Sequence, residues 1–360
     1  MKRAWILPIL PAVLASILYG IGFPFCKLFL DQVDPIPLLA FISLGEGLGL
    51  WLLRIFQPHR QRAEASVSRL DWPWLLGAIA CGGVVAPALV LIGLNQTPAV
   101  VASLLLNFEI VATVLLAALI FKEAIGRQVW LAVLCVAAGS LFLSLDFSSP
   151  LGISLGALII LSATIVWALN RNLVRNISGK DPLQIMIIRG FAAGVITLLL
   201  TVALGIPMPS IRLILEMMAL GFSCFGLGYV LELLALRQLG TARTGAIVST
   251  SPFVGTIIAA FLFRDRFNPL LLLVLPLMAL GVFLIIVERH SHLHVHLPSE
   301  HEHRHCHDDG HHEHSHPSGA VPANISHSHL HRHEALEHYH PHSPDLHHRH
   351  SHTKREKALR

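Results

Sequence analysis

The stretch AALIFKEAIGRQVWLAVLCVAAG, residues 117–139, returns in altered form as AAFLFRDRFNPLLLLVLPLMALG at residues 259–281. A shift of 142 positions (263 − 121) lays Phe121-Lys122-Glu123 on Phe263-Arg264-Asp265, Gln96 on Gln238 and Ala117-Ala118 on Ala259-Ala260. The glycine 16 residues beyond each acid also matches, Gly139 on Gly281. Ala and Leu coincide readily between any two apolar helices, so the weight rests on the aromatic-base-acid triplet and the glycine at a fixed interval. Each copy is an apolar run, a charged turn and a second apolar run. That pattern reads as a hairpin of two membrane helices, present twice by duplication.

Composition agrees. Of 360 residues, 54% are apolar and 13% charged, with a mean hydropathy of +0.63, far from the soluble average. The net charge of +4 says less than its distribution. All of the 24 histidines except His59 lie after Arg289. Cys26, Cys81, Cys135 and Cys224 are isolated in apolar runs and Cys306 lies in the tail, so no disulfide framework is expected. Met1-Lys2-Arg3 before an apolar run resembles a signal peptide, but no small-x-small cleavage site follows, and an uncleaved first span is the better reading.

Apolar runs of about 20 residues, the length needed to cross roughly 30 Å of hydrocarbon, fall at residues 5–25, 35–56, 73–94, 98–121, 128–145, 152–171, 183–205, 212–236, 241–263 and 269–287. They are too long and continuous for barrel strands. Asp34-Pro35, Thr97-Pro98, Ser149-Pro150, Asp181-Pro182 and Asn268-Pro269 mark short turns between them. The expected fold is an all-α polytopic membrane protein with ten transmembrane helices arranged as two inverted five-helix repeats. Its units are residues 1–145, residues 152–288 and a disordered His-rich cytoplasmic tail, 289–360.

Orientation follows the basic residues. With the N-terminus inside, cytoplasmic segments hold Lys2, Arg3, Arg54, Arg60, Arg62, Arg69, Lys122, Arg127, Arg171, Arg175, Lys180, Arg237 and Arg243, against Lys27, Arg212, Arg264 and Arg266 outside. Both termini are then cytoplasmic. Five helices per repeat is odd, so the second copy is expected upside down, with Lys122-Glu123 inside and Arg264-Asp265 outside. Fainter echoes join the front halves: Asp34-Pro35 with Asp181-Pro182, and residues 19–27 with 167–175.

The ten runs, the two halves and the basic-acid pair before a glycine-bearing helix in residues 117–139 and 259–281 resemble the EamA-type transporters of the drug/metabolite transporter superfamily. The resemblance covers about residues 5–287. It implies a substrate path near the centre, between the repeats, with alternating access. In one place the chain departs from it: the second helix carries FISLGEGLG (41–49) where the seventh has MIIRGFAAG (186–194), so the expected arginine stands only at Arg189.

Ionisable groups deep in a span cost several kcal/mol unless paired or hydrated. Glu109 lies eleven residues beyond Pro98, near mid-bilayer at about 1.5 Å per residue. It is either a proton acceptor or counter-ion to a cationic substrate group, or a packing lock. Asn107, two residues earlier, faces elsewhere. Glu46, between Gly45 and Gly47, is within reach of Arg189, as a structural pair or as one that opens during transport. Glu216 and Glu232 read as snorkelling residues, and Trp167, Asn170 and Arg171 as interface anchors. Pro252 breaks the ninth run beside Ser249 and Ser251, and Ser251 overlays Glu109 under the shift of 142. The candidate transport path is therefore Glu46, Asn107, Glu109, Arg189, Ser249, Ser251 and Pro252.

In the tail, histidines alternate: His290, His292, His294 and His296; His301, His303, His305 and His307 around Cys306; His311, His312, His314 and His316; His327, His329, His331 and His333. Further clusters follow to His352. Such spacing sets imidazoles on one side of an extended segment, and neutral imidazole ligates zinc, nickel and copper. No cofactor is required for the membrane part, and the tail is the expected site for those metals.

Together these features point to a carrier for a small organic metabolite or drug-like solute, ion-coupled, in the plasma or inner membrane, with a metal-binding or metal-sensing tail. A divalent transition-metal transporter (zinc, nickel or cobalt) and a non-transporting metal sensor or scaffold are the rivals. An enzyme is not expected, since no nucleophile-base pair stands out. Expected partners are the solute, the lipid bilayer and transition-metal ions, with a homodimer as one candidate assembly and no nucleic acid.

Overall fold

The computed structural model describes residues 3–56, 65–119, 126–146, 152–177, 180–239, 241–264, 269–287, 291–296, 299–305, 327–333 and 336–341. The turn holding Lys122-Glu123, together with Asp265, His290, Cys306, His307, His311, His312, His314 and His316, lies outside them.

The first half comprises α1 (Arg3–Leu30), α2 (Pro35–Phe56), α3 (Trp72–Ala78), α4 (Ala86–Asn95), α5 (Ala99–Leu105), α6 (Phe108–Leu119) and α7 (Arg127–Ser144). The second comprises α8 (Leu155–Arg175), α9 (Pro182–Ala203), α10 (Ile211–Leu220), α11 (Leu227–Leu239), α12 (Thr241–Val248), α13 (Ser251–Phe263) and α14 (Pro269–Val287). Eight helical runs among the described residues are long and apolar enough to cross a membrane: Ile9–Leu30, Pro35–Phe56, Arg69–Asn95, Ala99–Leu116, Arg127–Ser144, Leu155–Val174, Pro182–Ala203 and Ile211–Ala235. Ser251–Phe263 and Pro269–Ile285 are apolar but shorter, so the ten runs of the sequence appear as eight full-length candidates and two short ones. The ninth run is broken, α12 stopping at Val248 and α13 starting at Ser251. Prolines open α2, α9 and α14, where their missing N–H is no loss. The Asp181 side chain caps α9 by accepting from the N–H groups of Leu183 and Gln184.

The helix breaks recur at the duplication shift. Adding 142 to the limits of α5 and α6 gives 241–247 and 250–261, against the observed 241–248 and 251–263. A π-helical turn separates α3 from α4 at Ile79–Val85, and another separates α10 from α11 at Gly221–Gly226, again starting 142 residues later (221 − 79). Proline accounts for the break before α13, but no proline stands between α5 and α6. There Asn107 bends the chain locally, its Nδ2 donating to the Leu104 carbonyl at 3.2 Å, while Thr250 Oγ1 does the same to Ile247 at 2.6 Å in the second half.

Packing between the halves is reciprocal. α1 packs on α11 and α13, while α8, its counterpart, packs on α4 and α6. α7 meets α14 through Gly139 against Met278 and Gly281 against Val136; the first index falls by three as the second rises by three, so the two run antiparallel. α2 and α9 also run antiparallel. Arg54 pairs with Asp181 at 2.9 Å at one end, and Gly47 and Gly190 bring the backbones together further along. A Cβ at Gly190 would stand 2.7 Å from the Gly47 nitrogen. Gly190→Leu is therefore expected to lower stability by about 1–3 kcal/mol, read as a lower melting temperature in detergent. An unchanged temperature would mean the helices separate freely there.

In the tail the described residues form β1 (Ser291–His296), β2 (Ser299–His305), β3 (His327–His333) and β4 (Leu336–Pro341). β1 pairs antiparallel with β4, and β2 with β3. Alternation of His with other residues is the two-residue period of a strand, and it favours extended pairing even without an apolar core.

Candidate functional site

Four polar side chains from four helices meet between the halves. Arg171 on α8 donates through Nε to Glu109 Oε1 on α6 and forms a salt bridge with it. Tyr19 on α1 donates its hydroxyl to Glu232 Oε2 on α11 at 2.8 Å. The two pairs form one electrostatic cluster, since Glu232 feels both Arg171 and Glu109, and Arg171 feels Tyr19 and Glu232. The tightened turn between α5 and α6 sets Glu109 in the first turn of α6, where the positive end of the helix dipole favours a carboxylate.

Beside Tyr19 lies a small, narrow cleft lined by Tyr19, Phe23, Ser103, Leu106, Ser251 and Pro252, with Gly20 and Gly255. The glycines let α1 and α13 approach: a Cβ at Gly255 would stand 3.0 Å from the Gly20 carbonyl oxygen. Phe23 presents edges to Trp167 (centroids 6.2 Å, 65°) and to Phe225 (5.7 Å, 72°), tying α1 to α8 and to the π turn before α11. Ser103 is 2% exposed, and its hydroxyl has no partner among the described residues. Ser16 and Thr250 join hydroxyls at 2.9 Å next to the α12–α13 break.

The candidates from sequence divide into two groups. Glu109, Ser251 and Pro252 lie at the cluster or its cleft, and Ser249 and Asn107 lie at the helix breaks; Asn107 is 2% exposed with its side-chain Oδ1 unpartnered among the described residues. Glu46 and Arg189 lie elsewhere, as a pair at 3.1 Å clamped between α2 and α9, with Glu46 6% exposed. Arg171, read from sequence as an interface anchor, is instead drawn to Glu109. Glu232, read as snorkelling, is held by Tyr19. Glu216 is exposed and bonded to Arg212 at 2.8 Å, as a snorkelling residue would be. The sequence signal for Tyr19 was its echo opposite Trp167; for Ser103 there was none beyond its place in the fourth run.

A bundle of membrane-length helices in two related halves, with charged and aromatic side chains gathered between them, defines a polytopic membrane carrier. The chain belongs to the EamA-like transporter family, which it matches twice, over residues 6–145 and 154–287. It is therefore a multi-pass membrane transporter of the drug/metabolite superfamily. It is 30% identical over 304 residues to an uncharacterized transporter of Methanothermobacter thermautotrophicus (strain Delta H), covering 79% of this chain and 87% of that protein. It is also similar in fold to a solved structure titled "Crystal structure of protein", with a TM-score of 0.53 and 16% identity over 77% of this chain and 95% of that one.

Proposed function

We propose that the protein moves a small organic solute by alternating access, coupled to an ion, through a passage between two inverted repeats of five helices. The observation that carries the reading is the Glu109–Arg171 pair. Both residues lie within candidate spans, yet their side chains are 21% and 63% exposed. A charge exposed to hydrocarbon costs several kcal/mol, and we read the exposure as one to water in a passage. Antiparallel crossing of α2 with α9 and of α7 with α14 supports the inversion, because these are the second and fifth helices of each half. Paired breaks in the fourth helices of the halves, each a tightened but still hydrogen-bonded turn, are the discontinuities that inverted-repeat carriers place at the repeat interface. The basic-residue distribution supports cytoplasmic termini in a plasma or inner membrane.

The tail is read as a metal buffer or sensor attached to this carrier, binding zinc, nickel or copper. Its register supports that role: His292 lies opposite His340, His294 opposite His338, and His301, His303 and His305 opposite His331, His329 and His327. In the membrane part, no group of three or more His, Cys, Asp or Glu among the described residues could hold a metal ion, which favours an organic cargo over a metal one.

Proteoliposome flux tests the whole reading, with full-length protein and protein lacking residues 290–360. Organic solutes are expected to equilibrate faster with either form than with empty liposomes, and zinc is expected to bind full-length protein only. Equal solute equilibration with and without protein would favour a sensor or scaffold; zinc flux that falls on tail deletion would favour the metal exporter.

A further inference from the structure

We propose that residues 65–71, which lead into α3, are a latch that bolts the first half to the α8–α9 turn of the second. It closes one mouth of the passage and lets go each time that mouth opens. The inference rests on the carrier reading above and names the device that holds one of its states. Ala65 pairs with Lys180 as an isolated parallel bridge, and its carbonyl accepts from the Asp181 N–H at 2.7 Å. The Val67 N–H donates to Gln184 Oε1 at 3.1 Å, and Val67 packs on the apolar cluster of Leu75, Ile79, Ile177 and Ile185. Lys180 Nζ stands 3.6 Å from Asp71 Oδ2, and that carboxylate is steadied by the Ser68 N–H and hydroxyl, both donating at 2.7 Å. The orientation read from the basic residues puts this mouth on the cytoplasmic side.

The far mouth shows what these contacts are for. Under the shift of 142, residues 65–71 fall on 207–213, and Ser68 falls on Ser210, which caps α10. The starts of α2 and α9 are equivalent under a shift of 147 (182 − 35). Val67 and Gln184 then become Pro209 and Pro37, and Pro209 has no N–H to give. Asp71 and Lys180 become Leu213 and Val33, which belong to one apolar cluster. The acid alone survives: Asp181 is 8% exposed and paired with Arg54, whereas its equivalent Asp34 is exposed. Two inverted halves build both mouths from equivalent elements, so an ionic and hydrogen-bonded fastening at one end has an apolar counterpart at the other. Salt screens the first and leaves the second. The chemical difference between the fastenings therefore biases which mouth is shut.

Amide hydrogen exchange on the full-length protein in detergent reads the latch. Raising salt from about 0.1 M to about 1 M shortens the Debye length from about 10 Å to about 3 Å, and exchange at Val67 and Asp181 is expected to speed up about two- to fivefold. Asp71→Asn is expected to show the faster rate at low salt and to lose the salt dependence. Should that variant fail to fold, the salt series on the unaltered protein tests the same point. Exchange indifferent to both salt and the substitution overturns the latch. A covalent lock tests its release. Bridge partners stand about 5 Å apart, within the Cα separation of a disulfide, so Ala65→Cys with Lys180→Cys can be joined, with Cys306→Ser keeping the tail thiol out of the reaction. Oxidation is expected to stop whatever flux of phenylalanine, uridine or choline the reduced form shows in proteoliposomes, and reduction to restore it. Oxidised protein that transports as fast as reduced protein overturns the latch and leaves the carrier standing. Exchange that responds as expected while no probe crosses, even with unaltered protein, keeps the fastening and removes the carrier.

Discussion

Arg189→Met is expected to destabilise the protein by about 3–5 kcal/mol, the usual consequence of stranding one partner of a buried ion pair. Glu46 is 6% exposed, and its carboxylate accepts from Arg189 Nη2 at 3.1 Å. α2 and α9 close beside it at Gly47 and Gly190, which leaves the Glu46 carboxylate little access to water once the guanidinium is gone. Glu46→Met combined with Arg189→Met removes both charges and is expected to recover most of the loss. Melting in detergent reads both variants. The same pair of variants separates a lock from a moving part: a double variant that is stable and still transports makes the pair structural, whereas a stable double variant without flux makes it part of the cycle. If Arg189→Met alone melts with the unaltered protein, the pair contributes nothing to holding α2 on α9.

Glu109→Gln is expected to abolish the pH dependence of flux while the protein still inserts and folds. Glutamine keeps the size and an acceptor oxygen for Arg171 but cannot bind or release a proton. The other groups facing this position are Arg171 on α8, Glu232 on α11 and Tyr19 on α1, so any residual pH dependence would point to Glu232. Flux from pH 5 to pH 8 in proteoliposomes measures it. A variant whose profile matches that of the unaltered protein would remove Glu109 from coupling and leave it as a packing contact to Arg171.

Both expectations concern what links the halves, and the two charged pairs differ in a way that assigns their roles. The Glu46–Arg189 pair sits where two backbones touch, and neither helix is broken nearby. The Glu109–Arg171 pair sits in the first turn after a break, its arginine side chain exposed, and the matching break of the other half lies at Pro252. The first geometry resists motion, and the second lies where the chain can bend.

Much of the fold was legible in the sequence because its causes are local. Hydrocarbon thickness sets the length of an apolar run, Asp-Pro and Asn-Pro start helices, and a duplicated hairpin leaves its triplet and its glycine at a constant shift. The break at Pro252 follows from proline's missing N–H. Its twin at Leu106-Asn107 carries no such mark, and only the shift of 142 applied to the second half could have found it. Gly82-Gly83 and Gly221 sit in the π turns, but glycine alone does not specify an extra residue in a helical turn.

What the chain could not disclose by itself is who meets whom across long separations. Arg171 stands 62 positions from Glu109 and Tyr19 stands 213 from Glu232, so neither pairing leaves a trace in any local window. Judged by distance from a helix end, Arg171 and Glu232 belonged to the interface. Packing of each half's first helix against the other half's third and fourth turns both side chains inward instead. The sequence alone established a duplicated, membrane-spanning helical chain with acids at mid-depth; the crossing of the two halves decided which of those acids is clamped between two helices and which lies beside a helix break, because only packing brings residues so far apart in the chain together.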